Sequence, residues 1–149
     1  MKKDKWDKRF MDVAKLVSSW SEDTDTQVGC VVVNKKQQIV TTGYNGLSRG
    51  IKHLNKRLAR PEKYKWIEHA ERNAIYQAAN IGVSLKNTIL YTTLFPCTDC
   101  ARAIVQSGIS CVVSYHYKLD NRYSTWGDSW NTSKEILTEA GVTLVLSYR

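Results

Sequence analysis

Long apolar runs are missing from this sequence of 149 residues. No stretch approaches the roughly 20 consecutive apolar residues that a membrane-spanning helix needs, so we expect no membrane segment. The first five residues are mostly charged and no apolar stretch follows them, which argues against a signal peptide. Internal repeats, low-complexity segments and linker-like stretches are missing as well. We therefore expect residues 1–149 to form one domain that works in the cytoplasm.

Cysteine and histidine are scarce, at four and three residues. Cys30 and Cys111 lie within valine-rich segments, where they resemble small buried strand residues. Cys97 and Cys100 have instead the Cys-x-x-Cys spacing of metal ligands. A reducing cytoplasm keeps such thiols free, so we expect no disulfide.

Two short motifs indicate chemistry: HAE at 69–71 and PCTDC at 96–100. One His and two Cys can hold a zinc ion at three corners and leave the fourth for water, as in catalytic zinc sites. Zinc lowers the pKa of such a water to about 7, and the unligated Glu71 can move its protons. The pairing of H-x-E with P-C-x-x-C is the signature of the zinc nucleobase deaminases. We predict one zinc ion per chain, bound by His69, Cys97 and Cys100.

Both motifs are predicted to open helices, and this placement favours metal binding. Cys97 and Cys100 are three residues apart and therefore share a helix face. The partial positive charge at a helix N-terminus lowers the pKa of a thiol and favours the thiolate that zinc binds. Two other interpretations of Cys-x-x-Cys remain, a redox pair and half of a structural zinc site. A structural site needs a fourth ligand, and the candidates are Cys30, Cys111, His53 and His116.

The order of predicted elements indicates an α/β fold. Helices are predicted over 6–20, 68–79, 97–107 and 133–140, and strands over 27–33, 38–44, 88–93, 111–115 and 142–147. Two long loops remain, over 45–66 (partly helical near 53–59) and over 118–132. A helix, a hairpin and then alternating strands and helices predict a three-layer α/β/α sandwich, with a mixed sheet of about five strands.

Positive charge is concentrated in residues 45–66, which we call the basic segment. It contains seven Lys or Arg residues and one acid, Glu62, so it carries +6 of the total net charge of +8. A basic loop beside a nucleotide site suits phosphate. Charge alone also fits nucleic acid, or a solvated loop without any ligand.

Four segments resemble the deoxycytidylate (dCMP) deaminase family. They are GYNG at 43–46, HAERNAI at 69–75, TLFPC at 93–97 and TQVGCVV at 26–32. The resemblance extends from about residue 6 to residue 148. Phe95 distinguishes this branch, because the tRNA-adenosine and riboflavin-pathway relatives usually carry an acid there.

The resemblance implies a cytidine-deaminase fold and the conversion of dCMP to dUMP with release of ammonia. It assigns zinc to His69, Cys97 and Cys100, proton transfer to Glu71, and a contact with the sugar or base to Asn45. Some viral members bind a second zinc in the segment before the HAE motif. That segment has no Cys here, so we expect a single zinc.

The resemblance also implies assembly and regulation. Members form homo-oligomers, often hexamers, and many are activated by dCTP and inhibited by dTTP. The regulatory pocket involves segments that match Thr26, Gln27 and Gly46 in this chain, which are therefore candidate allosteric residues.

Other side chains are candidate substrate contacts. Arg72 shares a helix face with His69 and could contact a phosphate, although a surface ion pair is favoured. Tyr115 and Tyr117 are candidate contacts for the base. The predicted loop 118–132 contains Trp126 and Trp130, which could close over the base or pack at a subunit contact.

Two alternative functions deserve a test. A deaminase acting on a base within RNA or single-stranded DNA would use the basic segment to follow the backbone. Tyr64 and Trp66 are the only aromatic residues in that segment, which disfavours nucleic acid. The intact Glu71 argues against the second alternative, a zinc protein with a binding role and no catalysis.

Overall fold

The computed structural model describes residues 5–148. In chain order they are α1 (Lys5–Ser18), β1 (Gly29–Val33), β2 (Ile39–Tyr44), β3 (Gly46–Leu47), α2 (Asn55–Leu58), α3 (Lys63–Trp66), β4 (Ile67–Glu68), α4 (Ala70–Ile81), β5 (Ile89–Thr92), α5 (Thr98–Ser107), β6 (Cys111–Tyr115), α6 (Tyr123–Glu139) and β7 (Thr143–Ser147). A 3₁₀ turn, Tyr117–Leu119, follows β6. Within this described part, none of the helices has the length and apolar content needed to cross a membrane.

Five strands form one mixed sheet in the order β2-β1-β5-β6-β7. β1 pairs antiparallel with β2 and with β5, whereas β5, β6 and β7 run parallel. Parallel neighbours need a crossover connection, and α5 and α6 provide the two crossovers. The predicted mixed sheet of about five strands is confirmed.

Alternate residues along the central strands face opposite layers, because successive side chains of a strand point to opposite faces. Val31 and Tyr91 are buried in one cluster with Phe10 of α1. Val32 and Leu90 are buried in a second cluster that includes residues of α4, α5 and α6. The predicted α/β/α sandwich is therefore confirmed, with α1 on one face and three helices on the other.

The last helix is longer than the sequence predicts. α6 begins at Tyr123, inside the predicted loop 118–132, and not near residue 133. Its buried face consists of Gly127, Trp130, Ser133 and Leu137, which have helical spacing. Two of these four residues are small and not apolar, so the hydrophobic periodicity that predicts a helix is weak there.

Two other segments differ from the prediction. The basic segment contains α2 and α3, and at its ends β3 pairs with β4. α2 falls within the predicted helical stretch 53–59, but the rest is more ordered than a loop. The buried stripe of α1 does not reach Trp20: the helix ends at Ser18 and the indole is 53% exposed.

Gly43 lets α4 lie directly on β2. A Cβ atom at Gly43 would stand 2.2 Å from the carbonyl oxygen of Ala70 and 2.5 Å from the amide nitrogen of Ala74. Those distances are far shorter than van der Waals contact, and both atoms belong to the helix backbone. Glycine is thus required for the start of α4 to approach the sheet this closely.

Replacing Gly43 by Ala should lower the free energy of unfolding by about 1–3 kcal/mol, the usual cost of overpacking. Urea unfolding followed by circular dichroism measures the change. Gly46→Ala is the matched control, because its Cβ would meet only the Tyr44 ring, at 3.6 Å. An equal loss in the two variants would contradict this account of the packing.

Candidate active site

The predicted zinc ligands lie at the N-termini of α4 and α5. His69 and Cys97 are the residues immediately before these helices, and both have an extended backbone, with ψ of 153° and 175°. Cys100 lies in the first turn of α5. Because α4 and α5 cover the same face of the sheet, their N-termini bring all three side chains together.

One imidazole and two thiols converge there; we call His69, Cys97 and Cys100 the donor set. His69 Nδ1 lies 3.4 Å from Cys97 Sγ and 3.5 Å from Cys100 Sγ. All three donor atoms lie within 4.8 Å of one another. A tetrahedral zinc ion with ordinary bond lengths places its nitrogen and sulfur ligands about 3.6 Å apart. The donor set therefore fits zinc in both chemistry and spacing.

A hydrogen bond connects the two thiols of the donor set. This hydrogen bond, and to a smaller extent the contact with the His69 imidazole, lower the pKa of Cys97 to about 4. The same hydrogen bond, together with burial, raises the pKa of Cys100. His69 has a raised pKa, chiefly because of its hydrogen bond with Cys97. A thiolate, the form that binds a metal, is thus already favoured at one of the two positions.

Glu71 lies beside the donor set without belonging to it. Its side chain is 3% exposed, and burial raises the pKa of the carboxyl group. The Thr92 hydroxyl donates a hydrogen bond of 2.8 Å to Glu71 Oε1 and also lies 2.9 Å from the carbonyl oxygen of Leu94. A hydroxyl has one hydrogen and two lone pairs, so it can donate to an ionised Glu71 or accept from a protonated one.

No fourth Cys or His joins the donor set among residues 5–148. The others are Cys30, Cys111, His53 and His116. The Cys30 thiol donates to the carbonyl oxygen of Ala70, 3.2 Å away, and His53 pairs with Glu22. Cys111 packs on the α1 side of the sheet, half-buried where full burial is predicted. This arrangement favours an open, catalytic zinc site over a closed, structural one.

The donor set opens into a cavity of roughly 530 Å³, which we call the main cavity. Glu71, His69 and Cys97 line it together with Asn45 and Trp126. The volume is within the range of small-molecule sites. A water activated here would be next to a buried carboxylate and in a space large enough for a nucleotide.

Comparisons with known proteins agree with this geometry. A family model, the cytidine and deoxycytidylate deaminase zinc-binding region, matches residues 4–116. This chain belongs to the cytidine and deoxycytidylate deaminase family. It is 39% identical over 138 residues to an uncharacterized deaminase of Aliivibrio fischeri, covering 93% of this chain and 90% of that protein. It is 35% identical over 144 residues to the deoxycytidylate deaminase of Homo sapiens, covering 93% and 77%.

The deaminase fold is also found in solved structures. The dCMP deaminase from the cyanophage S-TIM5, crystallised in complex with dCMP and dUMP, superposes with a TM-score of 0.74. The two chains are 26% identical, and the match covers 94% of this chain and 95% of that one. The predicted family and fold are confirmed, and zinc is the cofactor of this deaminase family.

Asn45, the predicted sugar or base contact, lines the main cavity but is buried at 6% exposure. Its Oδ1 accepts a hydrogen bond from the amide of Val28, and its Nδ2 donates to the carbonyl oxygen of Thr26, both at 2.8 Å. The side chain thus holds in place the residues that precede β1. The second hydrogen on Nδ2 is still available to a ligand.

Arg72 lines the main cavity within a network of ion pairs. Its Nε donates to Glu68 Oε1 at 2.6 Å, and its Nη1 lies 3.5 Å from Asp99 Oδ2. In the structure Arg72 therefore forms ion pairs, which is the alternative that the sequence favours over a phosphate contact. Arg72 connects the start of α4 to the first turn of α5, at Asp99 between the two thiols.

Tyr115 and Tyr117, the predicted base contacts, do not line the main cavity. Both line a smaller cavity beside it, which Phe95 also borders. Tyr117 is 3% exposed, and its ring packs 4.6 Å from the ring of Phe95. Both tyrosines therefore lie behind the wall of the active site.

The three candidate allosteric residues have different surroundings in the structure. Thr26 lines the main cavity itself. Gln27 borders a different cavity, and its side-chain amide donates to the carbonyl oxygen of Ser21 at 2.7 Å. Gly46 pairs with Glu68 in the two-stranded sheet that β3 and β4 form.

Lys63 and Thr92 belong to the site although the sequence predicts no role for either. Lys63 is only 5% exposed, and its Nζ lies 3.1 Å from Asp23 Oδ2, so a charge from the basic segment is buried in the wall. Trp126 and Trp130, the two indoles that could close over the base, both line the cavity from α6, at 42% and 2% exposure. No local pattern of residues predicts that Thr92 contacts Glu71 or that Lys63 is buried.

Cys100→Ser should abolish stoichiometric zinc binding, because it removes one of three protein ligands. The affinity should fall by more than the roughly hundredfold that loss of an outer-shell contact costs. Zinc content after dialysis, measured by atomic emission, tests this. Cys111→Ser is the control and should keep one zinc ion per chain; equal zinc content in the two variants would contradict the donor set.

Proposed function

We propose that this deaminase converts dCMP and water to dUMP and ammonia. The observation that supports it most is the donor set beside a buried, unligated Glu71 in a cavity of nucleotide size. The relatives named deoxycytidylate deaminase, and the solved structure that contains dCMP and dUMP, support the choice of substrate.

His69, Cys97 and Cys100 would hold one zinc ion at three corners, leaving the fourth position towards the cavity. Bound zinc supplies a Lewis acid that makes water at that position easier to deprotonate. Glu71 would remove a proton from this water as its oxygen adds to the amino-bearing ring carbon. Glu71 would deliver this proton to the ring nitrogen and then take the second proton from the newly added hydroxyl group. It would pass that proton to the amino group, which leaves as ammonia as the carbonyl group of dUMP forms.

The remaining polar groups suggest how the substrate is held. Asn45 would contact the sugar or base through the second hydrogen of its side-chain amide. Arg72 would act chiefly through Glu68 and Asp99, by fixing the start of α4 against α5. We propose no base contact for Tyr115 or Tyr117, because both lie outside the main cavity.

Assembly, regulation and location are further proposals. A homo-oligomer, with a hexamer favoured, would cover exposed aromatic residues such as Trp20 and Tyr44, whose rings pack edge to face 6.1 Å apart. Regulation by dCTP and dTTP stays a proposal for Thr26, Gln27 and Gly46. The cytoplasm suits thiols that must stay reduced to bind zinc, and residues 1–149 would work there as one domain.

Glu71→Gln should keep stoichiometric zinc but lower kcat by roughly a hundredfold to ten-thousandfold, the usual contribution of a positioned acid–base group. Ammonia release from dCMP and zinc content are measured on the same preparation. Glu139→Gln, at the exposed end of α6, is the control and should match the wild type. Full turnover in Glu71→Gln would rule out the proposed mechanism.

A substrate panel separates the proposed function from the nucleic-acid alternative. We expect ammonia release from dCMP to exceed that from oligonucleotides containing cytosine or adenine by more than about tenfold in kcat/KM. Repeating the dCMP assay with dCTP and with dTTP tests regulation. Faster ammonia release from an oligonucleotide than from dCMP would contradict the proposed function and indicate that the substrate is a nucleic acid.

A further inference from the structure

Cationic side chains from three parts of the chain line the main cavity: Arg60, Lys63, Arg72 and Arg122. A nucleotide differs from its nucleoside by a phosphate that carries negative charge. A cation that is already neutralised by carboxylates gains little from a phosphate, since its donors and its charge are in use. The extent of neutralisation therefore distinguishes among these four residues.

Three of the four cations are held by close carboxylates. Lys63 Nζ lies 3.1 Å from Asp23 Oδ2 and 3.3 Å from Asp25 Oδ2. Arg122 donates from Nε and Nη2 to the two oxygens of Asp120, both at 2.7 Å. Arg72 contacts Glu68 and Asp99, as described above.

Arg60 is different. Across residues 5–148, its one carboxylate contact within 4.0 Å is from Nε to Asp25 Oδ2, at 3.8 Å. Asp25 is itself shared with Lys63. The Arg60 side chain is 57% exposed, so it can reorient towards a ligand without giving up a buried contact. Its guanidinium fork suits the paired oxygens of a phosphate.

Arg60 contacts a part of the cavity wall that the donor set does not contact. In dCMP the reacting amino group and the phosphate are at opposite ends. Arg72 serves the reacting end, because its partner Asp99 lies between the two thiols of the donor set. Arg60 is instead connected through Asp25 to the Asp23–Lys63 pair, and Thr26 and Tyr64 add hydroxyl groups to the cavity lining.

We propose that Arg60 binds the 5′-phosphate of the substrate and thereby makes this deaminase prefer a nucleotide to a nucleoside. This proposal rests on the proposed function and adds the residue that determines specificity. Of the cations that line the main cavity, Arg60 has the weakest contact with a carboxylate, so the proposal assigns phosphate binding by the basic segment to Arg60.

Arg60→Gln tests the proposal in the zinc-loaded enzyme. The ratio of kcat/KM for dCMP to kcat/KM for deoxycytidine should fall roughly tenfold or more, as expected for loss of hydrogen bonds to a charged group. Arg60→Lys keeps the charge without the fork and should give an intermediate ratio. Inorganic phosphate should inhibit turnover of deoxycytidine by the wild type more strongly than turnover by Arg60→Gln.

Arg49→Gln is the matched control, because Arg49 is in the same segment, is exposed and donates to Gln77 instead of lining the cavity. Its substrate ratio should equal that of the wild type. A parallel loss on both substrates in Arg60→Gln would indicate a structural role and overturn the proposal, as would an unaltered ratio. If the wild type deaminates neither substrate, the proposed function itself fails.

Discussion

The structure depends on one geometric constraint: an imidazole and two thiols must meet at about the 3.6 Å separation that a tetrahedral zinc ion imposes. Two helix N-termini on the same face of the sheet satisfy it, with His69 before α4 and the two thiols at the start of α5. Gly43 contributes from the sheet, since any larger residue would push the start of α4 away. The metal site is thus a product of how closely two helices pack on one face of the sheet.

Catalysis needs a carboxylate near the donor set that does not join it. Glu71 satisfies this because the first turn of α4 buries it and the Thr92 hydroxyl of β5 holds one of its oxygens. Electrostatic interactions around the cavity follow the same pattern, in which charged groups are fixed by partners: Lys63 by Asp23 and Asp25, and Arg72 by Glu68 and Asp99. Arg60, the least compensated of these cations, is the one with charge left for a substrate.

The sequence predicts local chemistry well and side-chain environment poorly. The zinc motif, the starts of both helices and the five-strand sheet follow from spacing and periodicity. The first ten residues of α6 do not, because Gly127 and Ser133 occupy its buried face. Tyr115 and Tyr117 lie at and just after the end of β6, where they line a smaller cavity together with Phe95 and do not line the main cavity. The burial of Lys63 depends on Asp23, forty residues away, which no local pattern can indicate.

X-ray absorption at the zinc K-edge of the purified deaminase tests the central claim most directly. The account predicts one zinc ion per chain with two sulfur ligands near about 2.3 Å and one imidazole nitrogen near about 2.0 Å, plus one oxygen from solvent. A coordination shell with a fourth protein ligand, or with a sulfur number other than two, would contradict it.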